Sequence, residues 1–106
     1  MDLSILADEL GLDEEGVLHL VRTFLKSTMQ DLRALEQALT DRDAEAAARL
    51  AHHIKGAAAN LELTAIAEAA LAVEKSAAGG DFGGLEQQVA AISRELKTIQ
   101  DGLGPA

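Results

Sequence analysis

Residues 82–103 read FGGLEQQVAAISRELKTIQDGL. Phe82, Leu85, Val89, Ile92, Leu96, Ile99 and Leu103 step through this stretch by alternating threes and fours. That spacing places them on one face of a helix, and such a seam lies lengthwise in a bundle rather than across a sheet. The preceding Ala78-Gly79-Gly80-Asp81-Phe82-Gly83-Gly84 is the one stretch that reads as flexible, and it separates this helix from the chain before it.

Working back from this anchor, the same periodicity recurs. Ile66, Ala67, Ala70, Leu71 and Val73 give a fourth helix, with Leu63-Thr64 at its start and Thr64 as the expected cap. Ala47, Leu50, Ile54, Ala57 and Leu61 give a third, running to about Leu61; Asp43 is suited to its N-cap, with Glu45 in the first turn against the helix dipole. The longest element runs from Asp13 to about Thr40, with Val17, Leu18, Val21, Phe24, Leu25, Leu32, Leu35 and Leu39 on one face. Leu3, Leu6 and Leu10, followed by Gly11, form a short first helix. Short connections make successive long helices antiparallel neighbours. The expectation is therefore an all-α antiparallel four-helix bundle, with a short extra N-terminal helix laid across one end.

Composition agrees. The 106 residues, 48% hydrophobic with two Phe and no Tyr or Trp, suit one helical domain over 1–106 better than a sheet. Nine Lys and Arg against 18 Asp and Glu give a net charge of -9, which repels nucleic acid. The absence of cysteine excludes disulfides, thiolate metal sites and a Cys nucleophile, and suits a reducing compartment. The opening MDLSILADELG lacks the basic first segment of a secretion signal, and no apolar run approaches the roughly 20 residues that cross a bilayer. A soluble cytoplasmic protein, or a module of a larger one, is expected. Gly104-Pro105-Ala106 reads equally as a terminus or the start of a linker.

Packing does not account for residues 49–61, RLAHHIKGAAANL. With the core side centred near Leu50, Ile54 and Leu61, about 100° per residue puts His52 roughly 160–180° away, facing solvent. His53 falls only about 80–100° from that centre, on a flank where it can pack against a neighbouring helix. Around His52 the helix is cleared of bulk: Ala48 lies one turn before it, Gly56 one turn after and Ala59 two turns after. Glycine within a helix costs roughly 0.5–1 kcal/mol relative to alanine, so Gly56 implies a close approach by another molecule or helix. Lys55 at i+3 reaches anything attached to the His52 ring, and Arg49 stands at i-3. A neutral imidazole is a nucleophile without a general base, and an adjacent ammonium neutralises an arriving phosphoryl group. Phosphoryl transfer needs mostly positioning and charge stabilisation, which an unobstructed ring beside a lysine offers.

Competing readings are weaker. Adjacent helical histidines diverge by about 100°, whereas chelation needs an i, i+3 or i+4 pair, so no metal is expected. No strand-linked glycine loop with a lysine provides a nucleotide site. His19, beside Leu18, is expected to be half-buried and structural. The acidic residues read mostly as a solvated surface.

His52-His53-Ile54-Lys55-Gly56 resembles the H-x-[hydrophobic]-K-G signature of histidine-containing phosphotransfer (HPt) domains in two-component phosphorelays. Phe24 and Leu25, Asp43, Asn60-Leu61 and Leu71-Ala72-Val73-Glu74 are also similar to that family's pattern; Glu62 departs from it where many members have a glycine. The resemblance implies that His52 accepts the phosphoryl group and that Lys55 and Gly56 accompany it. It further implies a phosphocarrier rather than an enzyme, taking phosphate from a receiver aspartate or a sensor histidine kinase and passing it to a response-regulator receiver domain. No cofactor is then expected in this chain, Mg²⁺ belonging to the receiver. Partner docking is expected around Glu45, Ala48, Arg49, Gly56 and Ala59, on a monomer. Two alternatives are a helical adaptor incapable of phosphorylation, and the phosphorylated N-terminal domain of a chemotaxis-type kinase.

Overall fold

The structure is a computed structural model that describes residues 3–103; the Gly104-Pro105-Ala106 end lies outside the described residues. Five helices follow one another: α1 (Leu3–Leu10), α2 (Glu14–Thr40), α3 (Ala44–Asn60), α4 (Thr64–Ala78) and α5 (Leu85–Leu103). No strand occurs among the described residues. Helices α2 to α5 pack in a closed cycle, each against the next and α5 back against α2, while α3 and α5 lie across the diagonal without pairing. This is the expected all-α four-helix bundle with an extra N-terminal helix. Helix α2 has 27 residues against 17 for α3, so its N-terminal part overhangs its neighbour. Helix α1 folds back onto α2 and buries Leu6 and Ala7.

Caps fix the helix starts. Asp13 accepts the Gly16 N–H at 2.7 Å and Asp43 accepts the Ala46 N–H at 3.1 Å, with Glu14, Glu15 and Glu45 in the respective first turns. Thr64 is not a cap. Helix α4 begins at Thr64 itself, with Leu63 in the N-cap position and no side-chain bond there. The physical reason lies in the preceding turn. The Leu63 N–H donates to Ala58 O at 2.9 Å and the Glu62 N–H to Ala59 O at 3.0 Å, which closes α3 in a Schellman motif and leaves no further residue before α4.

That motif needs a left-handed residue at its centre, normally glycine. Gly11 (φ 70) and Gly80 (φ 76) supply it after α1 and α4, but at either end of α3 the position is held by Arg42 (φ 53) and Glu62 (φ 57). With Glu62 where many family members have a glycine, the turn still forms, at a steric cost of roughly 1–2 kcal/mol that a glycine would not incur. The α4–α5 connection contains two turns, in which Gly80 and Gly84 take positive φ.

The core is one continuous cluster. The α5 seam buries Leu85, Val89, Ile92, Leu96 and Ile99 as its spacing predicts, with Phe82 and Leu103 partly buried at its ends. Three expectations shift. On α3 the buried face consists of Ala47, Ala51, Ile54 and Ala58, with Leu61 behind them, while Leu50 and Ala57 are only half-buried. Small side chains let α3 and α4 approach closely, so alanines rather than leucines carry that interface. On α2, Leu18 and Leu39 are half-buried, and Thr28 and Ala38 fill the core in their stead. His19 is exposed, because it stands two residues from both Val17 and Val21 and so turns to the far side of α2.

Candidate functional site

The site lies on α3 where α2 and α4 flank it. The observed core face of α3 re-centres the helical phase. About 100° per residue now places His52 roughly 140° from that centre on one side and His53 roughly 120° on the other, with Gly56 almost opposite the core. The two histidines are therefore near mirror images about the helix. Their side chains are 65% and 64% exposed, which corrects the expectation that His53 packs on a flank.

Their partners distinguish them. The Nδ1 of His52 lies 2.8 Å from Oε2 of Glu74 on α4, and the other oxygen of the same carboxylate, Oε1, accepts from Nζ of Lys55 at 3.0 Å. The Nδ1 of His53 is hydrogen-bonded instead to Oδ2 of Asp31 on α2, with no cation attached. Helix α3 is thus held to each neighbour by one imidazole–carboxylate pair.

Glu74 is mostly shielded, its side chain 24% exposed. The hydrogen bond from Lys55 holds its carboxyl below the usual carboxylate range; burial opposes this and the bond with His52 assists it. An ionised carboxylate only accepts, so Nδ1 of His52 must donate. In a neutral ring Nε2 then keeps its lone pair and points away from the protein anchor. A neutral ring held in this way has the geometry for nucleophilic attack through Nε2.

The other expected site residues divide. Glu45, Arg49, Gly56 and Ala59 are exposed around His52, whereas Ala48 is half-buried and contributes to the packing. Lys55 is more enclosed than expected, its side chain 30% exposed because it leans across to Glu74. A Cβ at Gly56 would meet no atom within 4 Å, so no neighbouring helix of this chain requires the glycine. Asp31 was not singled out from the sequence, and Glu74 entered only as part of a pattern. Both lie 22 residues from their histidines, so only the antiparallel pairing of the helices brings them into place. Among the described residues, no group of three or more His, Asp or Glu side chains converges on a possible metal position.

A family model for the Hpt domain matches residues 19–102. The chain therefore belongs to the Hpt family, the histidine phosphotransfer modules that serve as phosphorelay intermediates. Such domains carry phosphoryl groups and interact with receiver domains and histidine kinases. Among solved structures, that of histidine-containing phosphotransfer protein B (HptB) from Pseudomonas aeruginosa PAO1 is similar to this chain, with a TM-score of 0.85 and 26% identity over 97% of this chain and 90% of that one. A search of curated protein sequences gave no match.

Proposed function

We propose that His52 is the phosphoryl acceptor of this phosphorelay intermediate and that Glu74 and Lys55 set up its chemistry. The observation that carries the reading is the Glu74 carboxylate, shared between Nδ1 of His52 and the Lys55 ammonium. In transfer from a receiver, the Nε2 lone pair attacks phosphorus, an N–P bond forms, and the P–O bond to the aspartate breaks with its electron pair leaving on the carboxylate. The proton on Nδ1 stays in place, so the ring becomes a cation facing Glu74. Lys55 stands at i+3 to neutralise the phosphoryl oxygens. Onward transfer is the reverse step toward the next receiver.

The face around His52, with Glu45, Arg49, Gly56 and Ala59 exposed and Ala48 at its edge, supports docking of that receiver. Mg²⁺ is assigned to the receiver and none to this chain. The chain acts as one monomeric module over 1–106 in the cytoplasm and performs no catalysis alone. No helix of the described residues is long and apolar enough to cross a membrane.

The test is transfer from a phosphorylated receiver, scored as an acid-labile, base-stable label. Wild type and His53→Gln should acquire the label and His52→Gln should not. Retention of the label by His52→Gln, or its loss from His53→Gln alone, would overturn the assignment. A wild type that never labels would favour the adaptor reading.

A further inference from the structure

On the side of the bundle away from the α3–α4 seam, α2 and α5 diverge and leave an open groove of about 1000 Å³. Its floor is apolar, with Leu25, Leu32 and Leu96 at the base and Met29 and Leu103 partly exposed along it. Its rim is basic. Arg22, Lys26 and Arg33 of α2 and Lys97 of α5 line it, four of the nine Lys and Arg in the whole chain. Only Glu36 and Asp101 oppose them, so the groove is net +2 in a chain of net -9, leaving -11 on everything else.

None of the four cations has a carboxylate partner. The ion pairs among the described residues are those of His52, His53 and Lys55. Lys26 and Arg33 are separated by two turns of α2 and Arg22 and Lys26 by one, so the three form a row along one flank of the groove rather than a scatter. Unpaired like charges along an apolar trough repel one another and leave hydrophobic surface wet, and both penalties are relieved by one kind of occupant.

We infer that the α2–α5 groove is a second docking surface, for an acidic amphipathic helix of another protein that lays leucine-like side chains on the apolar floor and carboxylates against the basic rim. Arg22 to Glu36 spans about 21 Å of helix at 1.5 Å per residue, which matches a partner helix of about 14 residues. The groove uses neither α3 nor α4, so its occupant and a receiver over His52 can bind together. The site is a tether or regulatory contact and not part of the phosphoryl path.

The test is an NMR titration of the full chain with a synthetic peptide of about 14 residues, carrying leucines at i, i+3, i+4 and i+7 and glutamates on either side. A control peptide replaces the glutamates with lysines. The glutamate peptide should bind and shift amide signals of α2 and α5, leave those around His52 unmoved, and weaken about tenfold with Lys26→Glu/Arg33→Glu. Both substituted residues are exposed, and unchanged circular dichroism confirms that the double variant folds. Equal binding of the lysine peptide, shifts centred on α3, or a double variant that binds as well as wild type would overturn the inference. So would concentration-dependent self-association through the same signals, which would make the occupant a second copy, or binding to anionic phospholipid vesicles without binding to the glutamate peptide.

Discussion

The α3–α4 seam and the α2–α5 seam sit on opposite sides of one bundle and are built from different side chains. Ala47, Ala51, Ala58, Ala70 and Ala77 are all buried on α3 and α4, and these helices pair most extensively. On α2 and α5 the corresponding work falls to Leu25, Leu32, Leu96 and Met29, and the helices stand apart over an open trough. Small residues shorten the distance between helix axes, and long ones increase it. The imidazole, ammonium and carboxylate of the proposed transfer site span the close seam, where α3 and α4 cannot drift relative to one another. Precise placement is favoured on one side of the molecule, and accommodation of a bulky guest on the other.

The contrast is most exposed to a test of volume. Ala70→Leu should lose about 1–3 kcal/mol in urea unfolding, because the close seam has no space for three more carbons. A near-neutral result would mean that α3 and α4 are not held at short range. The second effect concerns what the seam positions. Glu74→Gln should slow phosphoryl transfer to His52 about tenfold, the equivalent of one charged hydrogen bond of roughly 1.5 kcal/mol, without loss of helicity. An unchanged rate would remove Glu74 from the mechanism.

The same carboxylate has a pH signature. Its pKa is depressed in the folded chain by Lys55, so the stability it contributes is present above the ordinary value of 4.5 and is lost as pH falls through the lower folded value. The difference in Tm between wild type and Glu74→Gln should therefore be present at neutral pH and vanish in stronger acid. A difference that grows on acidification would have the wrong sign.

Glu62→Gly should stabilise by about 1 kcal/mol in urea unfolding by relieving the left-handed backbone in the turn that feeds the close seam. It also removes the carboxylate whose contact with Glu9 raises the Glu9 pKa. A loss of stability would show that the Glu62 side chain supports the turn. The smallest effect belongs to the open side: Met29→Leu, a swap of similar volume beside the groove, should change stability by less than about 0.5 kcal/mol. A larger loss would close the groove in solution.

The parts of this molecule that were legible in the sequence are those with large side chains at regular spacing. The α5 seam, the number and order of helices and the cap at Asp43 all follow from local pattern, whereas the cap at Asp13 emerges only in the structure. The α3 core was less readable, because alanine tolerates both core and surface and the eye falls on Leu50. That shift in centre had chemical consequences: phase was expected to separate His52 from His53, but the two rings are almost equally exposed. What separates them is tertiary, Glu74 with Lys55 on one side and Asp31 alone on the other. No local spacing encodes a pair 22 residues apart across a turn. Thr64 misled for a related reason, since a threonine ahead of an apolar run reads as a cap until the preceding Schellman motif takes up the available residues.

Lys55 has a single ammonium group, and in the resting chain Glu74 engages it. In the proposed transfer an incoming phosphoryl group competes for that ammonium at the moment the His52 ring becomes positive. Glu74 can then release one cation and gain another without its own surroundings changing sign. In that proposal the carboxylate is a charge exchanger, and little of the protein beyond one lysine side chain has to move for the cargo to be loaded or handed on.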